Sequence, residues 1–159
     1  MTKTESAVQW AINIANDNRH GYSQANRWGN PDYDCSSLVI SAWQQAGVPV
    51  KSNGATYTGN MYNVFRACGF TDVTASCNRA TGAGMQRGDV LLNVKYHTAM
   101  YIGGGQMVDI QKPGIRREQR YGCADIIIIR EDGITFYGIQ KAVLLAVEGH
   151  RHNHLVFLL

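Results

Sequence analysis

Cys35 stands between Asp34, a residue type that caps helix N-termini, and the apolar series Leu38, Val39, Ala42, Trp43 and Ala46. That spacing predicts a helix whose first turn carries the thiol. A cysteine there faces unsatisfied backbone N–H groups and the positive end of the helix dipole, both of which favour thiolate over thiol. The amides of Cys35 and Ser36 could also donate to the oxyanion that forms when a thiolate attacks an amide carbonyl. His97 opens the β-prone run His97-Thr-Ala-Met-Tyr-Ile. A histidine at a strand start can meet a helix end across a cleft, as Cys-His hydrolases require without any closeness in sequence. Asp109, expected on the return strand of the same hairpin, is placed to hold the imidazole by its other nitrogen. Taken singly, Cys35 reads more readily as a small buried residue of a packed helix than as a nucleophile, and His97 more readily as a half-exposed strand residue. Their conjunction is what points to chemistry.

The elements that must position these groups follow from hydrophobic period. Ser6 to about Asn16 reads as a helix, with Ser6 and Gln9 as a capping box and Val8, Ala11, Ile12 and Ala15 on one face. His20 to Asp32, with Tyr22, Trp28 and Pro31, reads as a loop. The Cys35 helix stops at Gly47 and Pro49, and a third runs from about Gly59 to Cys68 with Met61, Val64 and Phe65 inward. A loop containing Gly82 and Gly84 is expected before the sheet. From Asp89 the period changes to that of strands: Asp89 to Val94, His97 to Ile102 and Gln106 to Ile110, the last two joined at Gly103-Gly-Gly. Helices first and an antiparallel sheet afterwards predict an α+β fold.

Composition bounds the partner. With 45% hydrophobic and 17% charged residues in 159, the chain suits one compact domain. A net charge of +3 is too small to argue for nucleic acid, yet does not oppose approach to an anionic polymer such as a cell wall. The opening MTKTESAVQWAINIANDN lacks the apolar stretch of a secretory signal, and no window is long enough to span a bilayer. Synthesis in the cytoplasm and no membrane insertion are therefore expected. Cys35, Cys68, Cys77 and Cys123 include no C-x-x-C pair, and an even count permits two disulfides without demanding them. Trp10 and Trp43 read as core or groove-wall residues. The tail His150-Arg-His-Asn-His alternates like a metal strip but offers only weak ligands, so no metal and no cofactor are expected.

Tyr33-Asp-Cys-Ser-Ser-Leu-Val resembles the D-C-S-G/S-L-V signature of the NlpC/P60 superfamily of cysteine peptidases. Arg87-Gly-Asp-Val-Leu-Leu and His97-Thr-Ala-Met-Tyr-Ile-Gly-Gly-Gly-Gln-Met-Val resemble its next two motifs, in the same order and spacing. Tyr57-Thr-Gly-Asn-Met and the Trp10 and Tyr22 to Trp28 region look closest to peptidoglycan amidohydrolases of bacteriophage endolysins. The resemblance covers residues 5 to 109. It implies a papain-like fold, and cleavage of a cell-wall stem-peptide amide by a D,L-endopeptidase or an N-acetylmuramoyl-L-alanine amidase. It also implies bacterial peptidoglycan as partner, action as a monomer, and arrival at the wall after holin-type release. Cys35, His97 and Asp109 would be catalytic, with Asp109 where the family often has His. Ser36, Tyr22 and Asp34 would serve the oxyanion or the substrate, although Tyr22 reads equally as a loop aromatic packed on Trp28. A thiol acyltransferase on the same scaffold and a noncatalytic wall-binding domain remain alternatives.

The catalytic domain is thus expected over residues 1–109, and residues 110–159 depart from the family's pattern. Read one base out of phase, codons from Asp132 onward can spell Trp-Asp-Tyr-Val-Leu-Arg-Tyr, the family's usual ending, and Asp125 to Ile129 can yield a run of tyrosines. A shift of reading frame near residue 109 is one account of this, and genuine C-terminal divergence is the other. A wrong-frame tail should make few contacts with the core, or complete the sheet only through apolar runs such as Ile126 to Ile129.

Overall fold

The computed structural model describes residues 1–111 and 126–131, with the backbone of 155–157. Three helices, α1 (Lys3–Asn16), α2 (Cys35–Gln45) and α3 (Thr58–Ala67), come first. The strands are β1 (Phe70–Asp72), β2 (Val90–Asn93), β3 (His97–Gly103), β4 (Gln106–Val108), β5 (Ile127–Glu131) and β6 (Leu155–Phe157). They form one sheet in the order β1-β5-β2-β3-β4-β6, antiparallel at every pairing. The fold is α+β, as the sequence predicts.

Helix α1 begins earlier than its pattern suggested. Thr2 is the N-cap, its hydroxyl accepting the Glu5 amide at 3.1 Å, so Ser6 and Gln9 fall inside the helix. Thr2 and Glu5 hold the same capping spacing as Ser6 and Gln9, and Glu5 adds a negative charge to the first turn. Helix α2 starts at Cys35 because Asp34 and Ser37 cap each other. Asp34 Oδ1 accepts the Ser37 amide at 2.7 Å, and Ser37 Oγ accepts the Asp34 amide at 2.9 Å. Its stripe of Leu38, Val39, Ala42 and Trp43 is wholly buried. Each large side chain there contributes about 1.5–3 kcal/mol of burial.

Strand β1 forms where the sequence pattern predicts loop. Three residues are too few to show a period, and Phe70 is fixed by tertiary contacts: edge-to-face with Trp43 at 4.9 Å and tilted against Phe65 at 4.8 Å. Alternation sorts the longer strands onto two covered faces. Val90, Leu92, Met100, Ile102, Val108 and Ile129 join the helices in one core. Leu91, Ala99, Tyr101, Met107 and Ile128 pack on the other face with Met85 and Ile126. Burial on both sides explains why these strands read as nearly continuous apolar runs.

The Arg87-Gly-Asp turn ties the layers together. Arg87 pairs with Glu5 of α1 at 2.8 Å. Gly88 has φ +96°, and a Cβ there would come within 2.2 Å of the Thr4 side chain, so only glycine allows the approach. Between β3 and β4, Gly103, Gly104 and Gly105 have φ of +96°, +62° and +74°, a left-handed series that glycine adopts without strain. This tight reversal brings the chain back along β3. Strand β4 ends at Val108, so Asp109 lies just past it and not within a strand reaching Ile110.

Strand β5 occupies an inner position. It pairs with β2 through Val90↔Ile129 and Leu91↔Ile128, and with β1 through Phe70↔Glu131. Ile128 and Ile129 are fully buried, and Arg130 grips the buried Asp89 through Nε and Nη2, each at 2.7 Å. Residues 127–131 thus complete the sheet, and β2 has no open edge. Cys35, Cys68 and Cys77 are free thiols. Cys123, Asp125, the 132–139 segment, Val143 to Val147 and the histidines 150, 152 and 154 lie outside the described residues.

Candidate active site

A cleft of about 220 Å³ opens where the start of α2 faces the start of β3, lined by Cys35 and Ser36 from the helix and by Tyr96 and His97 from the sheet. A larger open groove of about 650 Å³ over residues 75–84 shares no lining residue with it, and it holds no paired nucleophile and base.

His97 is 7% exposed and Asp109 wholly buried. Nε2 of His97 lies 2.8 Å from Asp109 Oδ2. The Cys35 side chain also hydrogen-bonds with His97 and lines the same cleft. Burial by itself lowers the imidazole pKa. The hydrogen bonds to Asp109 and Cys35, with the negative charge of both, outweigh it and push the value up to about 9. The three residues singled out from the sequence are therefore brought into one chain of contacts: thiol, imidazole, carboxylate. Gln111, also buried, donates its Nε2 to the same Asp109 Oδ2. Sequence reasoning missed Gln111, although its place two residues from Asp109 was a usable signal.

Asp34 caps α2, as its residue type predicts, and also lines the cleft. Its carboxylate accepts from the Ser37 amide, from Ser36 Oγ at 2.9 Å and from Arg27 Nη1 at 2.6 Å. All of this fixes the start of α2 and leaves the amides of Cys35 and Ser36 at the first turn, where a helix has no internal acceptors for them. Arg27, also missed, comes from the loop before α2. Besides Asp34 it contacts Ser36 Oγ at 3.2 Å and the Thr56 carbonyl, and its guanidinium lies 4.9 Å from the Trp28 ring centre. Nothing in the spacing marked it, because the loop that carries it has no period.

Tyr22 lines the cleft and is half-buried. Burial, then the negative charge of Cys35 and Asp34, push its phenol pKa up. Trp43 is core, and Trp10 packs edge-to-face on Tyr33 at 5.7 Å.

A family model described as an endolysin-like domain matches residues 30–108. The peptidoglycan endopeptidase RipA of Mycolicibacterium smegmatis is 32% identical over 89 residues, 54% of this chain but 15% of that protein. The chain thus spans a small part of that relative's length. Among solved structures, a P60 domain of an antigen from M. avium subspecies paratuberculosis is 17% identical, with 83% of this chain and 92% of that one covered and a TM-score of 0.40. The peptidoglycan hydrolase RipB from Mycobacterium tuberculosis is 21% identical, with 84% and 63% covered and a TM-score of 0.38. The match to the endolysin-like domain model spans residues 30–108 and so holds both Cys35 and His97, the residues of the motifs read from the sequence.

Proposed function

We propose that this chain hydrolyses an amide bond in the stem peptide of bacterial peptidoglycan, with Cys35 as nucleophile, His97 as acid and base, and Asp109 as the group that orients His97. The observation that carries the reading is the contact chain from the Cys35 thiol through the His97 ring to the buried Asp109 carboxylate. The similarity to a peptidoglycan endopeptidase supports the choice of substrate.

The Cys35 thiolate forms an S–C bond to the carbonyl carbon, and the displaced electron pair rests on oxygen near the amides of Cys35 and Ser36. Collapse breaks the C–N bond while protonated His97 gives its proton to the leaving nitrogen. Neutral His97 then takes a proton from water, which attacks the thioester. The S–C bond breaks, the acid is released, and the thiolate and imidazolium are restored. Asp109 keeps Nε2 occupied throughout, so that Nδ1 remains the nitrogen exchanging protons with substrate and water.

Purified cell walls incubated with wild type and with Cys35→Ala test this. Wild type is expected to solubilise the walls, and mass spectrometry of the products to reveal new amino termini. New N-terminal L-alanine identifies the amidase, and new ends within the stem the endopeptidase. Lysis by Cys35→Ala equal to wild type would overturn the proposal.

A further inference from the structure

Asp109 is wholly buried, and Gln111, two residues on, is 5% exposed. A carboxylate so enclosed is tolerable only where donors converge on it. Strand β4 has ended at Val108, yet the alternation of a strand carries on past it. Ile110 packs into the core shared with the helices, while the side chains on either side of it, Asp109 and Gln111, meet each other. Gln111 Nε2 donates to Asp109 Oδ2, the same oxygen that lies 2.8 Å from His97 Nε2. Gln111 also lines the cleft that holds Cys35 and His97.

One hydrogen bond sets the distance between a carboxylate and an imidazole but leaves the carboxylate able to turn about its Cβ–Cγ bond, a torsion with broad wells. A second donor on the same oxygen, carried by a side chain that packing encloses, restricts that rotation. The residue type suits the task. A carboxamide donates without charge, whereas a lysine or arginine at this place would compete with the imidazolium for the negative charge of Asp109.

We propose that Gln111 is a positioning residue of the hydrolase site, holding the Asp109 carboxylate so that Oδ2 faces Nε2 of His97. This rests on the hydrolase reading above, and adds to it a side chain that acts on the reaction through Asp109.

Gln111→Leu removes the donor and keeps a neutral side chain of similar size. The titratable groups that line the cleft with His97 keep their charges: Tyr22, Arg27 and Asp34 before α2, Cys35 on it, Tyr57 before α3, and Lys95 and Tyr96 before β3. With histidine labelled by nitrogen-15, NMR of wild type should show His97 titrating near pH 9. In Gln111→Leu the midpoint should fall, because a carboxylate that turns away stabilises the imidazolium less. An unchanged or raised midpoint overturns the proposal, since a donor that merely shared Oδ2 with His97 would on removal leave the imidazolium better stabilised.

Kinetics on a soluble N-acetylmuramoyl tetrapeptide, which contains both candidate scissile bonds, supply the second arm. Gln111→Leu should lower kcat about tenfold with KM little changed. Added to Asp109→Asn it should cost nothing more, because the group it positions has lost its role. An equal loss in both backgrounds would mean that residue 111 serves packing alone, and overturns the proposal. Should Gln111→Leu fail to fold, Gln111→Met, unbranched and without an N–H, carries the same expectations. If folded wild type does not cleave the tetrapeptide, the hydrolase reading falls, while the His97 titration, which needs no substrate, still decides whether Gln111 holds Asp109.

Discussion

Asp109 Oδ2 stands 2.8 Å from His97 Nε2, with both side chains almost wholly withdrawn from water. A carboxylate so placed favours the protonated ring, and the His97 pKa of about 9 reflects it. Asp109→Asn removes that charge, so the alkaline limb of kcat/KM, set by loss of the His97 proton, should move to lower pH and kcat should fall at least tenfold. Asp109→His, the residue more usual in this family, should retain much more activity. A pH–rate profile that Asp109→Asn leaves unchanged would remove the orienting role.

Stability should follow the same group. The folded pKa of His97 lies above the unfolded value near 6.5, so its contribution is complete below about pH 6.5 and is lost as pH rises through about 9. Urea denaturation should therefore give a lower unfolding free energy at pH 9.5 than at pH 6.5, by a few kcal/mol at most. Asp109→Asn should flatten that slope.

Thiol reactivity separates the described cysteines. Iodoacetamide should modify Cys35 faster than Cys68 or Cys77, because Cys35 opens α2 beside His97 whereas burial pushes the Cys77 thiol up. Equal rates, followed by peptide mass spectrometry, would count against an activated Cys35.

The thiol, the imidazole and their carboxylate were legible because each sits at the edge of a periodic element: Cys35 after a capping Asp34, His97 at the head of an apolar strand, Asp109 past a triple-glycine turn. Arg27 and Gln111 were not, since one comes from an aperiodic loop and the other is joined to the site by a side-chain contact. Asp34 was legible only in part. Residue type gave the cap, while its use as the shared acceptor of Arg27, Ser36 and Ser37 exists only once the loop has folded over α2. Strand β1 escaped notice because Phe70 is held by Trp43 and Phe65, both distant in the chain or on another element.

That shared acceptor makes a prediction of its own. Asp34→Ala removes an N-cap, about 1 kcal/mol, and strands the partly buried Arg27, raising the expected loss to about 2–4 kcal/mol in chemical denaturation. Asp34→Asn keeps the cap and should cost less. Both should also slow alkylation of Cys35, since the first turn of α2 loosens.

The last prediction concerns where the chain's own coding sequence ends. A shift of reading frame after Asp109 requires that codons 132 to 139, read one base out of phase, spell Trp-Asp-Tyr-Val-Leu-Arg-Tyr. The sheet does not decide the matter. Four isoleucines in the present frame and tyrosines in the other are both strongly β-prone, so β5 can form between β1 and β2 from either. In the present frame Arg130 also pairs with Asp89. Sequencing the encoding DNA separates the accounts. If the shifted frame spells the expected residues, restoring it should raise solubility and wall-lytic activity together. If it does not, residues 110–159 are in their own frame and the Arg130–Asp89 pair is native to the domain. In that case Arg130→Ala, which leaves the buried Asp89 without its charge partner, should destabilise the domain by about 3–5 kcal/mol. Replacing both residues with apolar side chains of similar volume should recover most of that loss.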